Sequence, residues 1–151
     1  MALANQHAGM AEDISDQLLR QRKRNNIIDY LEMASSPDEQ RQFERDVPIA
    51  CVPNEMINLW EDSVTSTDLE WYSVPVFSIE ENAAIRAFHT VWKQVADETP
   101  NPMPRSIEAL IGTGIWDRLA TAAIDALSVF GVRGRFSGDY EEPLKVLERV
   151  K

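Results

Sequence analysis

The sequence predicts an all-α protein, a single compact domain of five or six helices with one irregular extended segment over residues 63–77. Two observations lead to this fold class. Apolar residues recur at helical spacing in the longest patterned stretches, and a serine, threonine or aspartate stands before several of them, as a helix cap does. Proline interrupts the other apolar runs, so no convincing set of strands is left. A chain of 151 residues has the length of one ordinary domain.

The N-terminal part divides into a tail and a first helix. Residues 1–10 are small and polar and are predicted to be a flexible tail, with residues 11–151 forming the helical domain. Asp13 is placed to cap the first helix. The polar run over residues 20–26 interrupts the apolar pattern of this helix. Either one long helix with a solvated middle continues to about Ala34, or two helices meet within the run, and the single helix is the favoured prediction.

Two shorter helices are predicted next. The motif over residues 36–39, Ser-Pro-Asp-Glu, combines an N-cap serine, a proline at the first helical position and a glutamate that closes the capping box. Its helix should end near Asp46. A further helix is predicted from Asn54 to about Asp62. Between the two, the apolar and proline-bounded stretch Val47–Pro53 is predicted to be extended chain that crosses the core.

The clearest helix of the sequence runs from Ser78 to Asp97. Ser78 and Glu81 form a capping box, and the prolines within residues 99–102 end the helix. Its apolar stripe is wide enough to need covering on two sides. The stripe consists of Ala84, Ile85, Phe88, Val91, Trp92 and Val95.

The C-terminal third contains a long predicted helix with a short one on either side. Ser106 caps a short helix that ends at Gly112. Thr113 opens a long helix that continues to about Phe130, and Pro143 starts a last short one. Because the long helix carries alanines on its apolar stripe, the central helix can approach it closely. The side chains expected in that interface are Ile85, Phe88 and Trp92 on one helix and Leu119, Ala123 and Leu127 on the other.

The composition argues against several classes of function. The formal net charge is −10, which is unfavourable for general binding to nucleic acid or to an anionic membrane, since both need a basic face. No apolar run approaches the roughly 18 residues that span a bilayer. Cys51 is the only cysteine, so no intrachain disulfide can form, and a reducing cytoplasm is the expected compartment.

No catalytic or metal-binding motif stands out in the sequence. Cys51 lies in an apolar stretch and is interpreted as a small buried hydrophobe rather than a nucleophile. His89 borders the apolar stripe of the central helix, where it could line a pocket with Arg86, although a half-buried boundary histidine is the simpler interpretation. Neither histidine has a partner ligand three or four residues away, so no metal site and no cofactor are expected.

Two clusters of basic residues occur in this acidic sequence. Arg133 and Arg135 lie among glycines and are interpreted as a flexible loop that balances nearby carboxylates. The run over residues 20–24 holds four Lys or Arg within five residues. It lacks the aromatic residues of a nucleic-acid surface. It is predicted to lie on the solvated side of the first helix, or to dock against the acidic segment within the molecule or a dimer.

The uneven distribution of charge is the one feature that points to a function. Residues 36–70 carry nine acidic side chains and two arginines, which is −7 of the net −10. Carboxylates accelerate the encounter with a basic partner, and aromatic side chains supply buried anchors at an interface. The alternative is a solvated acidic face with its aromatic residues turned into the core. The candidate partner-binding residues are Trp60, Glu61, Asp62, Asp68, Glu70, Trp71 and Tyr72.

The predicted function is that of a non-enzymatic, protein-binding domain. In composition the chain resembles the small acidic bacterial immunity and antitoxin proteins, which bind and neutralise a basic toxin, and no motif adds to that resemblance. The resemblance implies a basic protein partner. Two other classes stay open. One is an enzyme or small-molecule-binding domain with a pocket near His89, and the other is a structural subunit of a homo-oligomer.

Overall fold

The computed structural model describes residues 14–65 and 68–148, and within those ranges the chain is helical and contains no strand. The predicted all-α class is therefore confirmed. The predicted tail, residues 1–10, lies outside the described residues. The helices are α1 (Asp16–Ala34), α2 (Pro37–Asp46), α3 (Val52–Ser63), α4 (Ile79–Glu98), α5 (Gly114–Phe130) and α6 (Leu144–Leu147), with single turns of 3-10 helix at Leu69–Trp71 and Ile107–Ala109.

The helix starts follow the local capping chemistry. The Ser36 side chain accepts the N–H of Glu39 at 3.1 Å, and Thr113 accepts an N–H in the first turn of α5. Ser78 and Glu81 form both hydrogen bonds of the predicted capping box. The cap of α1 is Ser15, and the predicted cap, Asp13, lies outside the described residues.

Helix α1 is a single helix, as favoured, but its middle is not solvated. Residues 134–142 run along its polar side. The Gln21 amide donates to two carbonyl groups of that segment, both at 2.9 Å. Asn25 exchanges two hydrogen bonds with the backbone of Phe136, at 2.7 and 3.2 Å. The polar run therefore interrupts the apolar pattern because it satisfies backbone groups of a segment more than a hundred residues away.

Helix α4 is the centre of the core and lies along α5 more extensively than any other two described helices do. Ile85, Phe88 and Trp92 are buried, as predicted. On α5, Leu119 and Ala123 are buried as well. The predicted pairing of the two helices is confirmed, with alanines on α5 allowing the close approach.

Two tryptophans join α4 to α3 in opposite directions. The Trp92 indole N–H on α4 donates to the carbonyl of Ile57 on α3 at 3.0 Å. The Trp60 indole N–H on α3 donates to Nδ1 of His89 on α4, also at 3.0 Å. Both indoles bury their rings and still satisfy their polar atom, which is the usual condition for a buried tryptophan.

The stretch Val47–Pro53 does not cross the core as predicted. Ile49 is 86% exposed, and the N–H of Ala50 donates to the carbonyl of Val47, which closes a surface turn. Helix α3 begins already at Val52, with Pro53 in its first turn, where the missing N–H needs no partner. Cys51 is half-buried, not fully buried as expected.

None of the helices in the described ranges combines the length and the apolar character needed to cross a lipid bilayer.

Candidate functional site

The most strongly buried charges among the described residues form a cluster around Glu81. The Glu81 carboxylate receives Arg24 Nε at 3.0 Å and Nη2 at 2.8 Å, and Arg133 Nε at 3.0 Å and Nη2 at 2.5 Å. The side chains of Arg24 and Glu81 are 0% and 1% exposed. We name Arg24, Glu81 and Arg133 the Glu81 network. Two bidentate arginines fill the acceptor sites of one carboxylate, so no ligand can reach it.

The Glu81 network connects separate parts of the chain. Arg24 belongs to α1, Glu81 to the first turn of α4, and Arg133 to the loop after α5. The ring of Phe136 covers both guanidinium groups, with centroid distances of 4.1 and 5.0 Å. Arg133 also donates to the carbonyl of Val76 at 2.7 Å and to those of Pro75 and Leu147. The network is thus a structural junction of α1, α4, α6 and the irregular segment.

The charge state of Glu81 agrees with a structural role. Burial by itself raises the pKa of Glu81, but the hydrogen bonds from Arg24 and Arg133 and their positive charges outweigh burial and hold it below its ordinary value of 4.5. Glu81 is therefore ionised at neutral pH. A general acid would need a raised pKa and access to substrate, and this carboxyl has neither.

Basic residues of the run over residues 20–24 bind other parts of the same chain. Of the run over residues 20–24, Arg24 belongs to the buried network, so the prediction of a solvated basic face is wrong for it. The guanidinium carbon of Arg20 lies 4.5 Å from the centroid of the Trp71 ring, and Lys23 donates to the carbonyl of Asp62 at 3.3 Å. Arg20 and Lys23 therefore dock near the acidic segment within the molecule, which was one of the predicted alternatives.

The loop arginines Arg133 and Arg135 also differ from the prediction. Arg133 is buried in the Glu81 network instead of lying in a flexible loop. Arg135 pairs with Asp29 at 2.6 Å and Glu32 at 2.7 Å on α1. Within the described residues, neither arginine forms an ion pair with Asp139, Glu141 or Glu142, because the loop folds back onto α1 and α4.

The four predicted acidic residues Glu61, Asp62, Asp68 and Glu70 are all exposed. We name these four residues the acidic face, because the Tyr72 hydroxyl joins the segment of Asp68 and Glu70 to the end of α3, which contains Glu61 and Asp62, through its hydrogen bonds to Ser63 and Thr65. Within residues 14–65 and 68–148, none of their carboxylates forms a hydrogen bond or an ion pair with Lys or Arg. Many other acidic side chains of the protein are paired. Paired carboxylates include Asp16, Asp29, Glu32, Asp38, Glu98 and Glu108.

The three predicted aromatic anchors lie mostly in the core. Trp60 is fully buried and Tyr72 is 3% exposed. The Tyr72 hydroxyl accepts the N–H of Thr65 at 3.0 Å and donates to the carbonyl of Ser63 at 3.3 Å. Trp71 is half-buried, with its ring against Tyr72 and Arg20. Trp60 and Tyr72 therefore belong to the core and are not part of the surface of the acidic face.

Sequence reasoning missed the apolar residues that are exposed beside the acidic face. Val74 is 62% exposed and Ile79 is 76% exposed. Both border a depression of about 260 Å³ that also includes Glu70, Asn82 and Arg86. Both also border a second depression of about 320 Å³. The lining of the second depression is completed by Pro75, Ser78, Glu80, Arg133, Leu147 and Glu148.

Arg86 and His89 border different depressions. Arg86 borders the depression beside Val74, where its Nε donates to Asn82 Oδ1 at 2.7 Å. His89 borders a different depression of about 480 Å³, together with Glu61 and Lys93. The two side chains follow one another along α4, but they open onto separate parts of the surface.

His89 has a fixed tautomer. Because Nδ1 accepts the Trp60 indole N–H, the proton of the neutral ring is on Nε2. Burial lowers the pKa of His89 and the charge of Lys93 lowers it further, while Glu61 acts in the opposite direction. The neutral ring is a hydrogen-bond donor through Nε2, so it lacks the free acceptor nitrogen of a general base.

Replacing Trp60 with phenylalanine should raise the pKa of His89 towards its ordinary value of 6.5. The indole N–H hydrogen-bonds only to the unprotonated Nδ1, so its removal withdraws support from the neutral form. A titration of the imidazole nitrogens followed by NMR measures this, and the shifts at high pH report the tautomer directly. An unchanged pKa together with an Nδ1–H tautomer in the native protein would contradict the assignment.

No described residues suggest a metal centre. Within the described ranges, no group of three or more His, Cys, Asp or Glu side chains is placed to hold a metal ion. No described side-chain nitrogen or oxygen that is buried lacks a hydrogen-bond partner. The polar interior is thus satisfied by the chain itself.

Comparison with known proteins found no relatives of this chain. No protein-family model matches it, and no significant match exists among curated proteins or among solved structures.

Proposed function

We propose that this protein is a non-enzymatic binding domain that recognises a basic protein partner through the acidic face, Glu61, Asp62, Asp68 and Glu70. The observation that carries the proposal is that these four carboxylates are exposed and have no cationic side chain paired with them in the described chain. Unpaired charge of one sign attracts a partner of the opposite sign and accelerates the encounter.

The position of Glu61 and Asp62 strengthens this proposal. Both lie in the last turn of α3, which contains no basic residue. The C-terminal end of a helix is the negative end of its dipole, where a carboxylate is unfavourable by about 0.3–1 kcal/mol. The Lys23 ammonium, which donates to the Asp62 carbonyl, already relieves part of that repulsion within the molecule. A cationic group from a partner would relieve more of it, because neither carboxylate has an ion pair in the described chain.

The acidic face is also held in a defined shape. The Tyr72 hydroxyl joins the segment after Asp68 to the end of α3 through its bonds to Ser63 and Thr65. The Asn82 amide donates to the carbonyls of Leu69 and Tyr72 at 2.9 and 2.7 Å. A preorganised surface loses less entropy on binding. The proposed compartment is the cytoplasm, which suits a chain with one unpaired cysteine.

Neutralising the acidic face should slow association with the partner by about tenfold or more at low salt. The variant is Glu61→Gln, Asp62→Asn, Asp68→Asn and Glu70→Gln combined. The partner is first recovered by affinity capture from the source cells, and association rates of the purified pair are then measured at several salt concentrations. The difference should shrink as salt rises, because exposed charges are screened beyond about 8–10 Å at physiological ionic strength.

A matched control removes the same amount of charge elsewhere on the surface. It combines four neutralising substitutions at exposed positions distant in sequence from the acidic face. The positions are Asp117, Asp125, Asp139 and Glu141. If the two variants associate at the same rate at low salt, net charge alone governs the encounter and the acidic face has no specific role.

A further inference from the structure

The apolar surface between the two depressions has the features of a binding anchor. Val74, Ser78 and Ile79 border both depressions, so together they form a ridge between them. We name it the Val74–Ile79 ridge. Single exposed apolar residues are ordinary, whereas grouped apolar residues beside a concave surface are typical of interaction sites.

The ridge is rigid. Ile79 is the first residue of α4, directly after the Ser78 cap. Val74 lies in a turn that is closed by the hydrogen bond from the N–H of Phe77 to the carbonyl of Ser73, at 3.0 Å. Phe77 is fully buried and packs against the rings of Trp71 and Tyr72. An apolar surface with such fixed geometry can be matched by a complementary partner at low entropic cost.

The charge around the ridge selects the partner. Glu80 and Glu148 are exposed on the border of the second depression, and neither has an ion pair in the described chain. The arginine on the same border, Arg133, is buried and engaged by Glu81. Glu70, which belongs to the acidic face, and the exposed Arg86 border the first depression. Among the described residues, the exposed charge on the border of the second depression is therefore negative.

We propose that the Val74–Ile79 ridge is the apolar anchor of the binding face, and that the partner presents an aliphatic side chain next to a lysine or arginine. The aliphatic side chain packs on Val74 and Ile79. The stem of the basic residue lies along the second depression, and its charge reaches Glu80 and Glu148. Long basic side chains bury their stems on apolar surface in this manner. The inference rests on the proposed function for the positive charge of the partner.

Two other occupants fit the charge less well. A second copy of this chain carries the same net charge of −10, and a symmetric contact would bring the acidic borders of both ridges together. The N-terminal residues 1–13 contain Glu12 and Asp13 and no lysine or arginine. A basic segment complements the site, and we assign it to another protein. Residues 149–151 of this chain, Arg-Val-Lys, have the same chemistry and are the alternative that a variant ending at Glu148 tests; tighter peptide binding by that variant would overturn the inference.

The probe for this inference is a phage-displayed library of random peptides, selected on the full-length protein. Enriched peptides should combine an aliphatic residue with lysine or arginine. A synthetic peptide of the enriched sequence should bind the Val74→Ser/Ile79→Ser variant about tenfold more weakly or worse, as expected for loss of an anchor. Glu80→Gln should weaken it less. Ile124→Ser, at a 54% exposed position on α5, is the matched control and should bind normally.

Several outcomes overturn the inference. These are an absence of enriched peptides, enrichment of acidic peptides, and equal affinity for the wild type and the ridge variant. Sedimentation showing a dimer that Ile79→Ser dissociates assigns the ridge to a second copy and overturns it too. Thermal unfolding must show that the ridge variant is folded; if it is not, the single substitution Val74→Ala takes its place and is held to the same affinity criterion.

The result also separates this inference from the proposed function. If the natural partner responds to neutralisation of the acidic face and not to the ridge variant, only the ridge inference fails. If it responds to the ridge variant and not to neutralisation, the ridge is the anchor and the acidic face is merely solvated.

Discussion

Replacing Glu81 with glutamine should lower the free energy of unfolding by about 3–5 kcal/mol. The substitution keeps the shape of the side chain but leaves the buried Arg24 guanidinium without its carboxylate and removes the same carboxylate from Arg133. The amide cannot accept all the hydrogen bonds that the carboxylate accepts, so donors are also left unsatisfied. Urea-induced unfolding followed by circular dichroism measures the change.

The matched control for this prediction is Glu80→Gln. Glu80 is the preceding residue on α4, has the same side chain and is exposed. Its loss should change stability by no more than about 0.5–1 kcal/mol, mainly through the helix dipole. Equal effects of the two substitutions would show that the Glu81 network contributes no more than a surface charge does.

The same variant should change the response to acid. Because the pKa of Glu81 is lower in the folded protein than its ordinary value of 4.5, the ionised carboxylate stabilises the fold above that value. This contribution is lost as pH falls below 4.5 and through the lower pKa of the folded state. Glu81→Gln has no such group, so its stability should fall less steeply over that range. A slope equal to that of the wild type would contradict the lowered pKa.

We also expect that apolar side chains in place of the Glu81 network would not restore the full stability of the wild-type protein. In many proteins a buried ion cluster can be exchanged for apolar side chains without loss. Here Arg133 additionally satisfies the carbonyls of Pro75, Val76 and Leu147. An aliphatic residue at this position would remove the Arg133 donor from the buried carbonyls of Val76 and Leu147. The arginine is therefore tied to the backbone as well as to Glu81.

The helices of this protein could be predicted because their signals are local. The caps at Ser36, Ser78 and Thr113 act within four residues, and the apolar stripe of α4 is contained in one helix. The local pattern predicted α1 less clearly than the other helices. Its polar residues are covered by residues 134–142, so its apolar periodicity is interrupted by contacts that no local pattern can show.

The Glu81 network could not be predicted for the same reason. Arg24 and Glu81 are separated by 57 positions, and Glu81 and Arg133 by 52. In the sequence Arg24 is one of four neighbouring basic residues, and surface exposure is the ordinary expectation for such a run. Only the tertiary fold distinguishes Arg24, which is buried, from Arg20, which lies against Trp71.

The charged residues of the candidate site could be predicted from the sequence, and its exposed apolar residues could not. Exposure of Glu61, Asp62, Asp68 and Glu70 follows from the cost of burying unpaired carboxylates. Val74 and Ile79 would by default be assigned to the core, because valine and isoleucine are among the residues most often buried. Their exposure depends on how the turn before α4 is folded.

Replacing Phe88 with alanine should lower the free energy of unfolding by about 3–5 kcal/mol, because it removes a buried aromatic ring and leaves a cavity. Phe88 is 1% exposed and lies where three helices meet. Its ring centroid is 4.6 Å from that of Trp60 on α3 and 5.9 Å from that of Tyr30 on α1, both with edge-to-face geometry. Such aromatic pairs add about 0.5–1.5 kcal/mol beyond the burial of area.

The neighbours of Phe88 cannot fill the cavity without breaking other contacts. The Trp60 ring is fixed by its hydrogen bond to His89, and the Tyr30 hydroxyl donates to the carbonyl of Met56 at 2.7 Å. A rigid site collapses little, which places the expected loss towards the upper end of the range. Phe88→Leu keeps most of the volume and should cost clearly less than alanine does.

Ile124→Ala is the control for the truncation, since Ile124 is 54% exposed on α5 and should change stability by no more than about 0.5 kcal/mol. The midpoints of urea unfolding for the three variants should therefore rank Ile124→Ala closest to the wild type, Phe88→Leu next and Phe88→Ala lowest. The ring contact with Trp60 gives a second readout, because Phe88→Ala should also change the tryptophan fluorescence of the native state. If Phe88→Ala unfolds at the same urea concentration as Ile124→Ala, the junction of α1, α3 and α4 is not the tightly packed core that these ring distances describe.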